Sequence, residues 1–326
     1  MVLFPKGADV IMEPILVLFP TEPEHRRQLE AAAPGAKFFY GAEGVSEAVL
    51  RRVRGVLGNP KAELLEKLPA LELLQLNSAG VGFYAKPGAL RDGVILTNAS
   101  GAYGPGIAEH MLGLALTLLK KLHRYRDNQR ERLWHDEGKV TSLLGAQVLV
   151  VGLGDLGREF AKRADALGAS VTGIKRTPGE KPSYVKELYT LEKLDECLPK
   201  ADVVLLSLPE TPETRGLFDA KRLSRMKEGA ILLNAGRGNA IDTPALCDAV
   251  ESGHLRGAGL DVTDPEPLPP DHRVWGVKDI VITPHVSGGF HLPYTHDRIV
   301  QICVENLRRF LAGEELLHRV NREAGY

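Results

Sequence analysis

Cysteine is scarce. The three in 326 residues, Cys197, Cys247 and Cys303, stand far apart and form no C-x-x-C pair. An odd, scattered set excludes a disulfide framework and a thiolate zinc site, and it suits a reducing compartment. Surplus charge is also missing, because 41 basic and 42 acidic side chains leave a formal net charge of -1. That removes the electrostatic case for nucleic acid or an anionic membrane surface as a partner. Nor is there a long apolar run: MVLFPKGADVIMEPILVLFP is broken by Lys6, Asp9 and Glu13, and its ILVLF is too short for a signal-peptide core or a membrane span. No internal repeat and no low-complexity tract is visible. These absences predict a soluble, cytoplasmic protein whose partner is a small molecule.

What is present is a 44% apolar chain, ample for one large or two ordinary cores. In the first hundred residues, ILVLF (15–19), VLG (56–58), LELLQL (71–76) and VILTNA (94–99) read as buried strands, separated by helical stretches such as PEHRRQLEAAA and KAELLEKL. This predicts a small parallel sheet with helices on its faces. The stretch GAYGPGIAEHMLGLALTLLKKLHRYRDNQRERLW then reads as a long helix at a domain crossing. A second series follows: VLVV (148–151), SVTGI (170–174), DVVLLSLP (202–209), AILLNA (230–235), GAGLDV (257–262) and DIVITPH (279–285). Six strands with helices between most of them predict a doubly wound parallel sheet of Rossmann type beside a smaller, flavodoxin-like α/β domain. The closing helical stretch, with Ile299, Ile302, Cys303, Asn306 and Phe310 near helical spacing, is assigned back to the first domain. The expected boundaries are therefore 1–101 plus 291–326 for a substrate domain and 102–290 for a dinucleotide-binding domain.

VLVVGLGDLGR, residues 148–158, runs a strand into Gly152, Gly154 and Gly157 and opens a helix. In such a G-x-G-x-x-G turn the first glycine permits the bend, the second lets backbone amides approach a pyrophosphate, and the third allows close helix–strand packing. Asp155 and Leu156 lie inside the turn and count with the cofactor-binding residues. A tight turn without a ligand is the blander alternative. An acidic side chain that would accept the ribose hydroxyls of NAD is expected at the end of the next strand, but Lys175 stands there, 18 residues after Gly157, followed by Arg176 and Thr177. Two cations and a hydroxyl suit a 2′-phosphate and so predict NADP(H) over NAD(H), the alternative being an ordinary solvated loop.

Three residues at strand ends of the second domain have the chemistry for hydride transfer to a carbonyl: Arg237 in LLNAGRGNAID, Glu266 in LDVTDPEPLP and His285 in VITPHVSGG. Each has a duller reading, as a turn-satisfying arginine, a solvated loop acid and a hydrogen-bonded strand-end histidine. The glycine turn, LPETPETRG, NAGRG, AGLDVTDPEPLP and TPH, in that order, closely resemble the D-2-hydroxyacid dehydrogenase family, which includes glyoxylate/hydroxypyruvate reductases and phosphoglycerate dehydrogenases. The resemblance covers nearly the whole chain, most sharply from about 100 to 290. It implies that Arg237 binds the carboxylate and carbonyl oxygens of a small 2-oxo acid, that His285 exchanges a proton with the substrate oxygen, and that Glu266 positions the imidazole. It also implies that Asp261 hydrogen-bonds the nicotinamide carboxamide, that Ala235 and Arg237 line that edge, that Leu208 and Pro209 pack near the adenosine, and that Thr214 touches the cofactor.

In the first domain LNSAGVG (76–82) resembles the family loop whose amides receive the substrate carboxylate, with Ser78, Ala79 and Gly80 as candidates. The family often carries Asp where Gly82 stands, so this loop departs from the common pattern. Tyr103 is a candidate substrate contact or a hinge residue, and Glu109 and His110 read as structural. The apolar crossing helix predicts a homodimer, in which Trp134 stands where related reductases present an aromatic to the partner. His291 and His296 have no partners at metal spacing, so no metal is expected, and HVSGG is not a nucleophile elbow. Formate dehydrogenases carry Gln where Glu266 stands, which disfavours that branch. The alternative from another class is a nucleotide-sensing corepressor-like binding protein of the same fold, disfavoured because no long tail or disordered arm is seen.

Overall fold

The structure, a computed structural model, describes residues 14–177, 179–290 and 292–322. The segment before Pro14, on which part of the leader argument rests, and His291 lie outside the described residues. Two compact units are present, one of residues up to Ala102 with those from Phe290 on, the other Tyr103–Gly289.

The first unit holds β1 (Ile15–Val17), β2 (Phe38–Tyr40), β3 (Gly55–Leu57), β4 (Leu73–Gln75) and β5 (Ile95–Thr97), all parallel in the order β2-β1-β3-β4-β5. That is the flavodoxin-like order. The fully buried β1, β3 and β4 are legible as apolar runs, as strands covered on both faces should be. β2 is not among the strands expected from sequence. It is an edge strand of three half-buried aromatics, too short to show a period. KAELLEKL yields only the single turn Ala62–Leu65. The terminal helix Pro293–Ala312, stopped at Gly313 in the left-handed region, belongs to this unit. Its fully buried Asn306 donates to Gln75 Oε1 at 2.6 Å and accepts from the Leu317 amide at 2.8 Å, while the Thr97 hydroxyl also donates to Gln75. A polar knot thus ties the helix to β4 and β5.

The second unit holds β6 (Gln147–Val151), β7 (Ser170–Ile174), β8 (Glu187–Tyr189), β9 (Val203–Leu206), β10 (Ile231–Asn234), β11 (Gly257–Leu260) and β12 (Ile280–Ile282), again all parallel. Their order, β12-β11-β10-β9-β6-β7-β8, reverses direction between β6 and β9, which is the doubly wound pattern with its switch point after β6. β8 exceeds the six strands expected, and it too is a short edge strand. One face of the sheet is covered by a core that includes Phe218, Leu223, Leu246 and Val274, the other by Met111, Leu114, Leu118 and Phe160.

The helical stretch at the crossing is not one helix. Gly104–Leu119 ends at Lys120, Lys121 takes a left-handed backbone with φ 56°, and Leu122–Arg130 starts anew. The break aims His123 and Arg124 at the Asp279 carboxylate, 2.9 and 2.7 Å away. Burial alone would raise the Asp279 carboxyl, but the hydrogen bonds from His123 and Arg124 outweigh it and hold the group well below the usual carboxylate range.

Candidate active site

Parallel strands deliver their C-terminal ends to one edge of a sheet, and the site residues of the second unit all stand there. Gly152 follows β6 with φ 101°, and a Cβ on it would lie 2.5 Å from the Ser207 carbonyl oxygen. A Cβ on Gly157 would fall 2.0 Å from the Gly152 oxygen, so helix and turn touch where the third glycine was expected to let them. Gly154 has open space where a Cβ would point, at the N-cap of the helix Asp155–Ala166. Two closed glycines and one open one, set at a helix N-terminus, fit a dinucleotide pyrophosphate. Asp155 faces another way: its carboxylate accepts the Gly104 amide at 3.0 Å.

At the end of β7, Lys175 is half-buried while Arg176 and Thr177 are exposed. Arg176 lies near enough to Glu213 to add to the pull of the Thr211 hydroxyl, which holds that carboxyl below its usual value. After β9, Leu208 runs so close to the β10 turn that a Cβ on Gly236 would sit 2.6 Å from its carbonyl oxygen. Thr214 closes the following turn on itself, donating to the Pro209 oxygen at 2.7 Å and accepting from the Thr211 amide at 2.8 Å.

Arg237 follows β10 between two glycines that admit no side chain. A Cβ on Gly238 would meet the Thr263 carbonyl carbon at 2.0 Å, so the arginine turn is pressed against the β11 loop that carries Glu266. One guanidinium donor of Arg237 bonds the Gly236 oxygen at 2.7 Å. No carboxylate among the described residues pairs with this cation, which leaves most of a planar fork of donors for a ligand. Ala235, half-buried, donates its amide to Leu206 at 3.1 Å.

His285 follows β12 and is half-exposed. Its Nδ1 lies 2.9 Å from Glu266 Oε2, and the other Glu266 oxygen accepts the Thr263 amide at 2.9 Å. A carboxylate only accepts, so Nδ1 carries the proton toward Glu266. Nε2 has no protein partner among the described residues. The imidazole is thus oriented on one side and open on the other, the arrangement a general acid–base requires. The residues after it are packed against the start of the crossing helix, where a Cβ on Gly288 would meet Ile107 at 2.9 Å and Tyr103 at 3.1 Å.

In the first unit the loop Asn77–Gly80 follows β4. The Ser78 hydroxyl donates to the Gly80 oxygen at 2.7 Å and accepts from Asn59 at 3.0 Å, the Ser78 carbonyl accepts the Ala99 amide at 2.9 Å, and Asn98 Nδ2 bonds the Ala79 oxygen at 2.9 Å. The hydroxyl of Ser78 is occupied in shaping the loop and the Asn77 amide donates to Asn59, so the features offered to an anion are the amides of Ser78, Ala79 and Gly80.

A sequence profile described as "D-isomer specific 2-hydroxyacid dehydrogenase, NAD binding domain" matches residues 112–287. The chain belongs to the D-isomer specific 2-hydroxyacid dehydrogenase family. It is 35% identical over 266 residues to the D-3-phosphoglycerate dehydrogenase of Mycobacterium leprae, covering 81% of this chain and 49% of that protein. The chain thus spans about half the length of that curated relative. It is 32% identical over 270 residues to a glyoxylate reductase of Korarchaeum cryptofilum, covering 80% of each chain. The crystal structure of a D-isomer specific 2-hydroxyacid dehydrogenase from Xanthobacter autotrophicus, in complex with NADPH and MES, matches with a TM-score of 0.81 and 32% identity, covering 96% of this chain and 99% of that one.

In this member of the family, the sequence motifs do not mark the residues that shape the candidate site without carrying its chemistry. Asn59 and Asn98 clamp the 77–80 loop, and Ser207 donates its hydroxyl to the Gly152 oxygen beneath the glycine turn. Only the position of each, one to three residues past a strand end, marks them in the sequence. No helix among the described residues is long and apolar enough to cross a membrane.

Proposed function

We propose that the chain is an NADPH-preferring reductase of small 2-oxo acids, of the glyoxylate/hydroxypyruvate type, yielding D-2-hydroxy acids. The observation that carries the proposal is the His285–Glu266 pair at 2.9 Å, on loops that follow neighbouring parallel strands, with Arg237 at the end of the next strand over. When bound, the dihydronicotinamide supplies the hydride that the carbonyl carbon receives. Arg237 holds the substrate through its carboxylate and carbonyl oxygens by a bidentate, charge-assisted contact. His285 gives its Nε2 proton to the carbonyl oxygen as negative charge develops there, while Glu266 keeps the ring oriented and stabilises the imidazolium that precedes transfer. The amides of Ala79 and Gly80, in the loop shaped by Ser78, receive the carboxylate, and Tyr103 borders the substrate.

The pyrophosphate rests on the Gly152–Gly157 turn, with Leu156 in that turn and Leu208, Pro209, Thr214 and Ala235 near the cofactor through packing or backbone. Lys175, Arg176 and Thr177 receive the 2′-phosphate. Support for NADPH comes from those residue types at the end of β7, and the Xanthobacter relative was crystallised with the same cofactor. Support for the substrate class comes from the relative named a glyoxylate reductase.

The test is loss of reduced-nicotinamide absorbance with glyoxylate, hydroxypyruvate and other 2-oxo acids, using NADPH and NADH in turn. Arg237→Ala and His285→Ala should each lower kcat/KM by about 10²–10⁴ while NADPH affinity is retained. Full turnover in either would overturn the assignment. Tight cofactor binding with no turnover across the panel would favour a corepressor-like binding protein instead.

A further inference from the structure

Within the loop Asn77–Gly80, two successive peptides are turned the same way. Both are trans, so each carbonyl and the amide that follows it point in opposite directions. The Ser78 oxygen accepts the Ala99 amide at 2.9 Å, and the Ala79 oxygen accepts Asn98 Nδ2 at 2.9 Å. Both carbonyls are therefore turned on consecutive residues just past β5, and the amides of Ala79 and Gly80 face away from that strand end together. Neither amide has a partner among the described residues. Two adjacent amides aimed one way match the paired acceptor oxygens of a carboxylate.

Asn98 has no freedom to turn its carboxamide round. It is 7% exposed, and its Oδ1 accepts the Ser100 amide at 3.1 Å, which leaves the NH2 group for Ala79. Its main-chain amide donates to the His318 oxygen at 3.2 Å and the Val320 amide to the Leu96 oxygen at 2.9 Å, so the segment after the terminal helix lies antiparallel along β5 and holds Asn98 from behind. That segment is itself fixed by Asn306, whose side chain bonds both the amide and the oxygen of Leu317. On the opposite flank, Asn59 Oδ1 accepts the Asn77 amide at 3.1 Å, and its Nδ2 donates to the Ser78 hydroxyl, whose own proton goes to the Gly80 oxygen. Gly58, at φ 127° and with Leu18 Cβ 2.8 Å from where its own Cβ would stand, makes the turn that delivers Asn59.

We infer that Asn98, seconded by Asn59, is a positioning residue for the substrate carboxylate: it fixes the plane of the Ala79–Gly80 peptide so that both amides are presented before substrate arrives, and it governs substrate affinity, not the hydride step. Preorganisation of this kind removes the cost of ordering the loop on binding. The inference rests on the reading of this loop as the carboxylate site.

Asn98→Asp keeps the shape and the acceptor for Ser100 but sets an oxygen against the Ala79 oxygen, whereas Asn98→Ala removes both ends of the carboxamide and adds no charge. With NADPH saturating, each should raise KM for glyoxylate by about 10-fold or more, as loss of a hydrogen bond to a charged group does. Both should keep kcat within about 3-fold of wild type and leave KM for NADPH unmoved, the pattern of binding lost equally from ground and transition states. Asn59→Ala, whose bonds are exposed to water, should raise KM for glyoxylate by about 3-fold. The Gly80 amide signal in ¹H–¹⁵N spectra, assigned with Gly80→Ala, should shift in Asn98→Ala, and in the wild type it should shift when glyoxylate is added to the NADP⁺ complex. The inference is overturned if both Asn98 variants, with Tm near wild type, keep the wild-type KM for glyoxylate, if kcat or KM for NADPH is damaged as much as KM for glyoxylate, or if the Gly80 signal ignores Asn98→Ala. A Gly80 signal that answers to Asn98→Ala but not to glyoxylate would instead sink the carboxylate reading beneath it.

Discussion

Arg237 owes its place to the two residues beside it. The Cβ positions of Gly236 and Gly238 are filled by the backbones of Leu208 and of Thr263–Asp264, so any side chain there must part loops that carry the site. Gly238→Ala should therefore cost about 1–3 kcal/mol of stability, the usual range for overpacking, and should depress kcat/KM. Urea denaturation and turnover check this against Gly276→Ala, where a Cβ meets nothing within 4 Å. Cofactor choice also belongs to single residues. Arg176→Ala should lower kcat/KM with NADPH and leave the value with NADH nearly unchanged; a wild-type preference for NADH would remove the basis of the assignment. Arg237, Glu266 and His285 could be picked out of the sequence as candidates because their residue types suit carbonyl chemistry and they stand on motifs that resemble the family. Thr283 and Asn59 were not, because a hydroxyl or an amide that shapes a loop looks like any other until its partner is known.

Among the elements, the terminal helix Pro293–Ala312 is tied in part by Asn306 and the helix Leu122–Arg130 in part by Asp279. Asn306→Leu removes a donor to the buried Gln75 and leaves the half-buried Leu317 amide without its acceptor. It should destabilise the protein by about 1–3 kcal/mol, the cost of an unsatisfied buried group, seen as a lower denaturation midpoint. Asp279 holds His123 and Arg124 with a carboxyl kept below its ordinary value, so its stabilising contribution is present above the normal carboxylate range. That contribution is lost as pH falls from about 4 through the depressed value. Tm measured against pH should accordingly decline on the acid side in the wild type and decline less in Asp279→Asn, which starts lower at neutral pH. The strand runs were readable from the apolar pattern, and Gly168, Gly253 and Gly313, each with positive φ, stand just past helix ends as glycine stops do. The break at Lys121 was not, since nothing local marks it and its partner Asp279 lies more than 150 residues away in sequence.

At the scale of the molecule, Trp134 is fully exposed, and its neighbour Leu133 is also open to solvent. Isolated exposed apolar residues are ordinary, but an exposed tryptophan beside a leucine suits an association surface. A homodimer was expected from the apolar crossing helix, and we propose that Trp134 lies at its interface. Sedimentation at micromolar concentration should show two copies for the wild type and a shift toward one for Trp134→Asp. A wild-type monomer at every accessible concentration would exclude the proposal.

The sequence by itself determined the two α/β sheets and the glycine turn, because burial on both faces writes continuous apolar runs, and it offered Arg237, Glu266 and His285 as candidates through their residue types and their place on motifs that resemble the family. Only the tertiary structure decided the edge strands β2 and β8, the break in the crossing helix and the hydrogen bonds that Asp261 accepts from Thr283, Val286 and Ser287. Each of these depends on which distant groups meet, and hydrogen bonds between residues far apart in the chain leave no periodicity to read.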